Sequence, residues 1–246
     1  MGNNGYQQER STAYQEHEDR RATRVHEVYD VAIVGAGAAG TSAAIFTARS
    51  GQKTLVVDAG ETGVLKAKLY NHVGFDKVYG PEFFRLAREQ AANAGAEVVQ
   101  AKVVALRRDG GSAGCDSGEV QSDDPGTYVL QAEDGREFRA RWVILCTGRW
   151  LELARQAGIV TVPGREHRYP EVIQVDAEGR TNLPRVWAAG AVAGASPHTI
   201  VVAGDGARVA LNLLSDIRGE RVIDHDVLPA KEAARLEAGA AEPANR

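Results

Sequence analysis

Six consecutive residues, Gly35-Ala36-Gly37-Ala38-Ala39-Gly40, leave this chain few folds to choose from. They stand between a short apolar run, Tyr29–Val34, and a stretch from about Ala38 to Ser50 that reads as a helix. A GxGxxG string alone is weak evidence, but a strand before it and a helix after it give each glycine work to do. Gly35 can make the tight turn, Gly37 lets backbone approach a pyrophosphate, and Gly40 with Ala44 lets helix and strand pack closely. The helix amino end then offers free N–H groups and the positive end of its dipole to phosphates. Asp58 follows 23 positions after Gly35 at the end of a second run, Thr54–Asp58, where a carboxylate can accept from a ribose diol.

The rest of the pattern agrees with an α/β chain. Residues 82–93 repeat apolar groups at helical spacing, with Gly95 just past the end. Glu97–Leu106, Tyr128–Gln131, Glu137–Ala140 and Trp142–Cys146 read as strands, with an Asp134-Gly135 hairpin turn between the second and third. Early alternation of strand and helix predicts a parallel central sheet with crossover helices, to which a small antiparallel meander from about Glu97 to Ala140 is added. A second strand, GxG turn and helix at Thr199–Gly206 lacks an acid-ended partner strand. Ser196 as N-cap with Pro197 at the first helical position fits better, giving one helix to about Ile217.

Composition sets the outer limits. The 246 residues give room for one large or two small domains. Residues 1–27 and 227–246 read as polar and Ala/Glu-rich tails, and residues 109–126, dense in Gly, Ser and Asp, as a mobile loop. That leaves 28–226 as one domain. The 29 basic residues are scattered among 33 acidic ones, so no surface tracks nucleic acid. No run approaches the roughly 18 apolar residues of a membrane span, and the expected location is the cytoplasm. Cys115 and Cys146 lie 31 positions apart, too far for a CxxC pair, and no metal-ligand spacing is present.

At this point the sequence resembles the FAD domain of the low-molecular-weight thioredoxin reductases among the pyridine nucleotide-disulfide oxidoreductases. Residues 29–58 look like their first FAD segment throughout, and Asn71-His72-Val73-Gly74-Phe75 is similar to an N-x-P-G-F segment beside the flavin. Trp142–Gly148 resembles the strand ending in A-T-G, and Thr181–Val192 the segment ending in A-x-G-D. The resemblance spans about residues 28–222 and implies a glutathione-reductase-class Rossmann-like domain holding FAD. Carried over residue by residue, the FAD site is drawn from Gly35, Gly37, Ala38, Ala39, Gly40, Asp58, Ala59, Asn71, Val103, Thr147, Gly148, Gly190, Ala191, His198, Thr199 and Ile200. The resemblance also implies a homodimer.

The departures are specific. Ala191 replaces the Asp of A-x-G-D, Val73 replaces the Pro before Gly-Phe, and His198-Thr199 stands where many relatives have Arg-Gln. The family's NADPH domain, which also carries its CxxC, falls between the T-G strand and A-x-G-D. Here only residues 149–180 lie there, and 32 residues cannot form a Rossmann domain.

The expected function is therefore an FAD-dependent oxidoreductase without dithiol chemistry, reduced by free NAD(P)H or by a docking redox protein. A flavin-binding relay or sensing module that needs a partner chain is the alternative, and an NAD-binding variant of the same fold a third. His72, His198 and Cys146 are the candidates for chemistry, with Trp150 and Tyr70 as covers for an exposed flavin face. Against them stand solvated histidines, a core cysteine and ordinary packing aromatics.

Overall fold

The computed structural model describes residues 27–109 and 126–225. The two segments read as tails, apart from Glu27, and the interior of the loop read at 109–126, with Cys115, lie outside the described residues. In chain order the elements are β1 (Val28–Val34), α1 (Ala38–Arg49), β2 (Thr54–Asp58), β3 (Lys68–Leu69), β4 (Val78–Tyr79), α2 (Gly80–Asn93), β5 (Glu97–Gln100) and β6 (Val103–Arg108). They continue with β7 (Tyr128–Ala132), β8 (Glu137–Leu145), α3 (Glu152–Gln156), β9 (Thr161–Glu166), β10 (Tyr169–Ile173), β11 (Val186–Ala188) and α4 (Thr199–Arg218).

β1 is the axis of the sheet. It pairs in parallel with β2 on one side, Val31 opposite Thr54 and Val34 opposite Val57, and with β8 on the other, Val34 opposite Leu145. β5 extends the parallel sheet beyond β2, and β11 runs beside the carboxyl half of β8. β2, β11 and the carboxyl half of β1 are buried on both faces, which is why β1 and β2 read as nearly continuous apolar runs. Alternation still sorts the side chains: Ala32, Val34, Val143 and Leu145 enter one core, while Val31, Ile33 and Ile144 enter the other with Trp187 and Leu213. Fully burying a side chain such as Leu213 contributes about 1.5–3 kcal/mol.

The stretch Glu97–Leu106, expected as one strand, is two. Ala101 donates its N–H to Asp58 O at 2.9 Å, which ends the pairing with β2, and the chain then turns to run antiparallel to β7. Conversely Glu137–Ala140 and Trp142–Cys146 join into the single strand β8. Its amino half pairs antiparallel with β7 and its carboxyl half parallel with β11, so one strand serves both the meander and the main sheet. The meander therefore begins at Val103 rather than Glu97.

α1 is built from small residues, and this lets α4 lie directly on it. A Cβ on Gly206 would sit 2.1 Å from Ala39 O. α4 is continuous through Gly204-Asp205-Gly206, so no second glycine turn exists there. Its N-cap is His198 rather than Ser196, whose hydroxyl turns to other partners. Residues 149–180 hold the five-residue α3 and the antiparallel hairpin of β9 and β10. No helix among the described residues is long and apolar enough to cross a membrane.

Candidate functional site

The turn after β1 is shaped by contact. Gly35 has φ of 102°, its N–H donates to Val57 O at 2.8 Å, and a Cβ there would lie 2.5 Å from Cys146 O. A Cβ on Gly40 would fall 1.8 Å from Gly35 O, so the helix can leave the turn this tightly only with glycine at both places. Gly37 is the N-cap of α1, no side chain caps it, and its first turn carries no acid. The first intrahelical bond is Thr41 N–H to Gly37 O at 2.9 Å, so the N–H groups of Ala38, Ala39 and Gly40 are left without helical acceptors. Such an end, carrying roughly half a positive charge, fits a pyrophosphate.

Asp58 lies where a ribose acceptor was expected, at the end of β2, yet it is only 4% exposed. Its Oδ1 accepts from Ala36 N–H at 2.9 Å, and its Oδ2 from Gly60 N–H at 3.1 Å and from Arg88 Nη1 at 2.9 Å. The carboxylate is thus engaged by the chain itself, as a brace between β2, the glycine turn and α2. Three donors take three of the roughly four acceptor sites of the carboxylate, which adds a bracing role to the expected one. Arg88, 30 positions away, carries no sequence signal for this partnership.

The opposite wall is the turn Gly190–Ala193 after β11. Gly190 has φ of 81° and lies between Ala39 of α1 and Val202 of α4. Ala191 is buried and offers no carboxylate. Asp205 instead reaches this turn from α4: its Oδ2 accepts from Gly190 N–H at 2.7 Å and its Oδ1 from Arg208. Sequence reasoning missed Asp205, whose link to Gly190 spans 15 positions and depends on how α4 packs.

The other expected site residues distribute around these walls. Thr199 is buried and Ile200 half-buried at the start of α4, while His198 is exposed. Thr147 and Gly148 continue from β8, with Thr147 Oγ1 donating to Trp150 O at 2.6 Å. Ala59 and Asn71 are exposed, and Val103 is half-buried at the start of β6. His72 stacks edge-on with Phe75 and tilts against Phe83, its Nε2 buried without a hydrogen-bond partner. Tyr70 and Trp150 are exposed, each with a cation over its ring, Lys68 and Arg149 respectively. Cys146 is buried behind the glycine turn. Burial pushes its thiol far above the usual range, and the nearby Asp205 charge adds to this, so a reactive thiolate is disfavoured. Its surroundings are those of a packing residue.

Residues 75–207 match the family described as pyridine nucleotide-disulphide oxidoreductase, and residues 30–68 match an FAD binding domain. The thioredoxin reductase of Aquifex aeolicus (strain VF5) is 41% identical over 127 residues, 50% of this chain and 34% of that protein. That of Peptoclostridium acidaminophilum is 30% identical over 156 residues, 62% of this chain and 44% of that protein. The chain thus spans less than half the length of the curated relatives it matches. Among solved structures, a thioredoxin reductase from Gloeobacter violaceus superposes with a TM-score of 0.64 at 16% identity, covering 82% of this chain and 99% of that one. The atypical thioredoxin reductase TRi from Desulfovibrio vulgaris Hildenborough gives 0.62 at 19% identity, covering 79% of this chain and 99% of that one. At such identities the superpositions establish the shared fold.

Proposed function

The chain belongs to the pyridine nucleotide-disulphide oxidoreductase family, and from that premise we propose that it is an FAD-dependent oxidoreductase with a single nucleotide site. Its electrons come from free NAD(P)H or from a docking redox protein, and it works without a CxxC dithiol. FAD, when bound, supplies the two-electron chemistry. The chain's own contribution is binding and orientation. The amino end of α1 holds the pyrophosphate through the N–H groups of Ala38, Ala39 and Gly40, while Asp58 keeps the glycine turn in shape. Gly190, Ala191 and the first turn of α4 line the opposite wall.

The observation that carries the single-site reading is the stretch 149–180. A five-residue helix and one hairpin occupy the interval where the resemblance implies an NADPH domain. The reading includes a homodimer in the cytoplasm, checked by light scattering of the purified protein and by fractionation of the host. A flavin-binding relay module is the second reading, favoured by Ala191, which brings no carboxylate to the cofactor wall. Purification from the native host separates them. Protein that carries FAD and oxidises NAD(P)H alone supports the enzyme, and stoichiometric recovery of a catalytic partner supports the module. Colourless protein that binds NAD refutes both.

A further inference from the structure

The hairpin of β9 and β10 reaches across to the amino end of α4 and sets three side chains in a row. Ser196 Oγ donates to Glu166 Oε1 at 3.1 Å and lies 3.0 Å from His198 Nδ1. A serine hydroxyl has one proton to give. With that proton on the glutamate, the contact to the imidazole closes only when Nδ1 carries a proton and donates it to Ser196 Oγ. The lone pair of the neutral ring is then on Nε2.

The place of this ring in the fold gives the arrangement its meaning. His198 is exposed and immediately precedes α4. Val202, one turn on, donates its N–H to His198 O at 3.0 Å, and Val202 Cβ lies 3.6 Å from where a Cβ on Gly190 would stand. Gly190 in turn faces Ala39 of α1. His198 therefore stands one helical turn out from the junction of β11, α1 and α4. That junction lies at the carboxyl end of the strands, where open α/β sheets take their ligands.

The geometry points to Glu166, Ser196 and His198 as a hydrogen-bonded relay that orients the ring, with His198 Nε2 as the acid–base group at the crevice. Ser196 and Glu166 are positioning residues that fix its tautomer. This rests on the reading of the chain as a flavin-dependent oxidoreductase. A hydride from NAD(P)H carries two electrons and one proton, and complete two-electron reduction of an acceptor in the crevice takes up one proton more. The His198 imidazolium gives that proton from Nε2, and solvent restores it to the exposed ring. Ser196, itself held by Glu166, keeps the ring turned for this transfer.

The test is nuclear magnetic resonance of the full chain labelled with 15N-histidine, as purified and again after removal of FAD, with His198→Gln assigning the signal. The expected result is that neutral His198 carries its proton on Nδ1 in both samples. Ser196→Ala and Glu166→Ala, both at accessible positions, should return it to the Nε2–H form that neutral histidine favours in water. His198→Gln should slow reduction by NAD(P)H about 100-fold, as loss of a general acid does, and the two positioning variants should slow it less. A wild-type ring protonated on Nε2, or a tautomer indifferent to Ser196→Ala, overturns the relay. Reduction by NAD(P)H at an unchanged rate in His198→Gln overturns the acid–base role. Because the tautomer is also read without FAD, failure of the relay is distinguishable from failure to bind the cofactor.

Discussion

Replacing Asp58 separates a brace from a ribose contact. The bond from Ala36 N–H is buried at 2.9 Å, and a hydrogen bond to a charged acceptor contributes about 1.5–3 kcal/mol. Gly60 N–H, partly buried at 3.1 Å, adds about 0.5–1.5 kcal/mol. The Arg88 side chain is 27% exposed, so its pair with Asp58 belongs between a surface bridge and a buried one, and about 1 kcal/mol is reasonable. Asp58→Ala should therefore lower the stability of the FAD-free protein by about 3–5 kcal/mol. Asp58→Asn keeps an oxygen for Ala36 but sets a neutral amide against Arg88, and should cost about 1–2 kcal/mol. Urea unfolding of FAD-stripped protein measures both. A carboxylate that served only a ribose would leave FAD-free stability within about 0.5 kcal/mol of wild type and weaken FAD binding alone. That outcome would refute the brace.

Three further expectations follow from the same contacts. A Cβ on Gly37 meets only Thr62 Oγ1, at 3.3 Å, and Gly37 has φ of −67°, which alanine tolerates. Gly37→Ala should fold with stability within about 0.5 kcal/mol of wild type yet bind FAD at least tenfold more weakly, because the methyl stands where the pyrophosphate approaches; equilibrium dialysis reads this. In a Cys115→Ser background, native protein should show no thiol reactive toward a disulfide reagent at neutral pH, and denaturant should release one, because burial holds Cys146 protonated. Asp176 accepts from the N–H groups of Glu178, Gly179 and Arg180 at 2.8–2.9 Å. Burial pushes its carboxyl up, but these donors and the Arg180 guanidinium outweigh that and hold it below its ordinary 3.8. A lowered value in the fold means that the stabilisation is complete above 3.8 and disappears as pH falls through the folded value. The Asp176 side chain is 47% exposed, so solvent screens these contacts, and Asp176→Asn should cost about 0.5 kcal/mol at pH 7 and almost nothing in strong acid, as followed by thermal unfolding across pH.

What the sequence makes legible is what neighbours in the chain decide. β1, the glycine turn, α1 and β2 lie within about thirty positions, and β2 begins and ends at the expected residues Thr54 and Asp58. The break between β5 and β6 is invisible because Ala101-Lys102 holds no turn former. It is made by distant partners: Ala101 N–H binds Asp58 O, and Lys102 O accepts from Glu133 N–H. The hairpin of β9 and β10 hides because Pro163 and Gly164 interrupt its alternation. In the fold that glycine lets the two strands approach, since a Cβ on it would lie 1.9 Å from Tyr169 O. The site divides the same way. The backbone of the glycine turn is readable as a motif, whereas Arg88, Asp205 and Glu166 act on residues 15 to 30 positions away and become functional candidates only through packing.

The central claim is that this chain takes electrons onto FAD with one nucleotide site and no dithiol. Anaerobic stopped-flow mixing of the FAD-loaded full chain with NADH, NADPH and reduced small redox proteins, with dithionite as control, tests it most directly. The account predicts that at least one of these donors bleaches the flavin absorbance in a single two-electron step. A flavin that dithionite reduces and none of them does would contradict it.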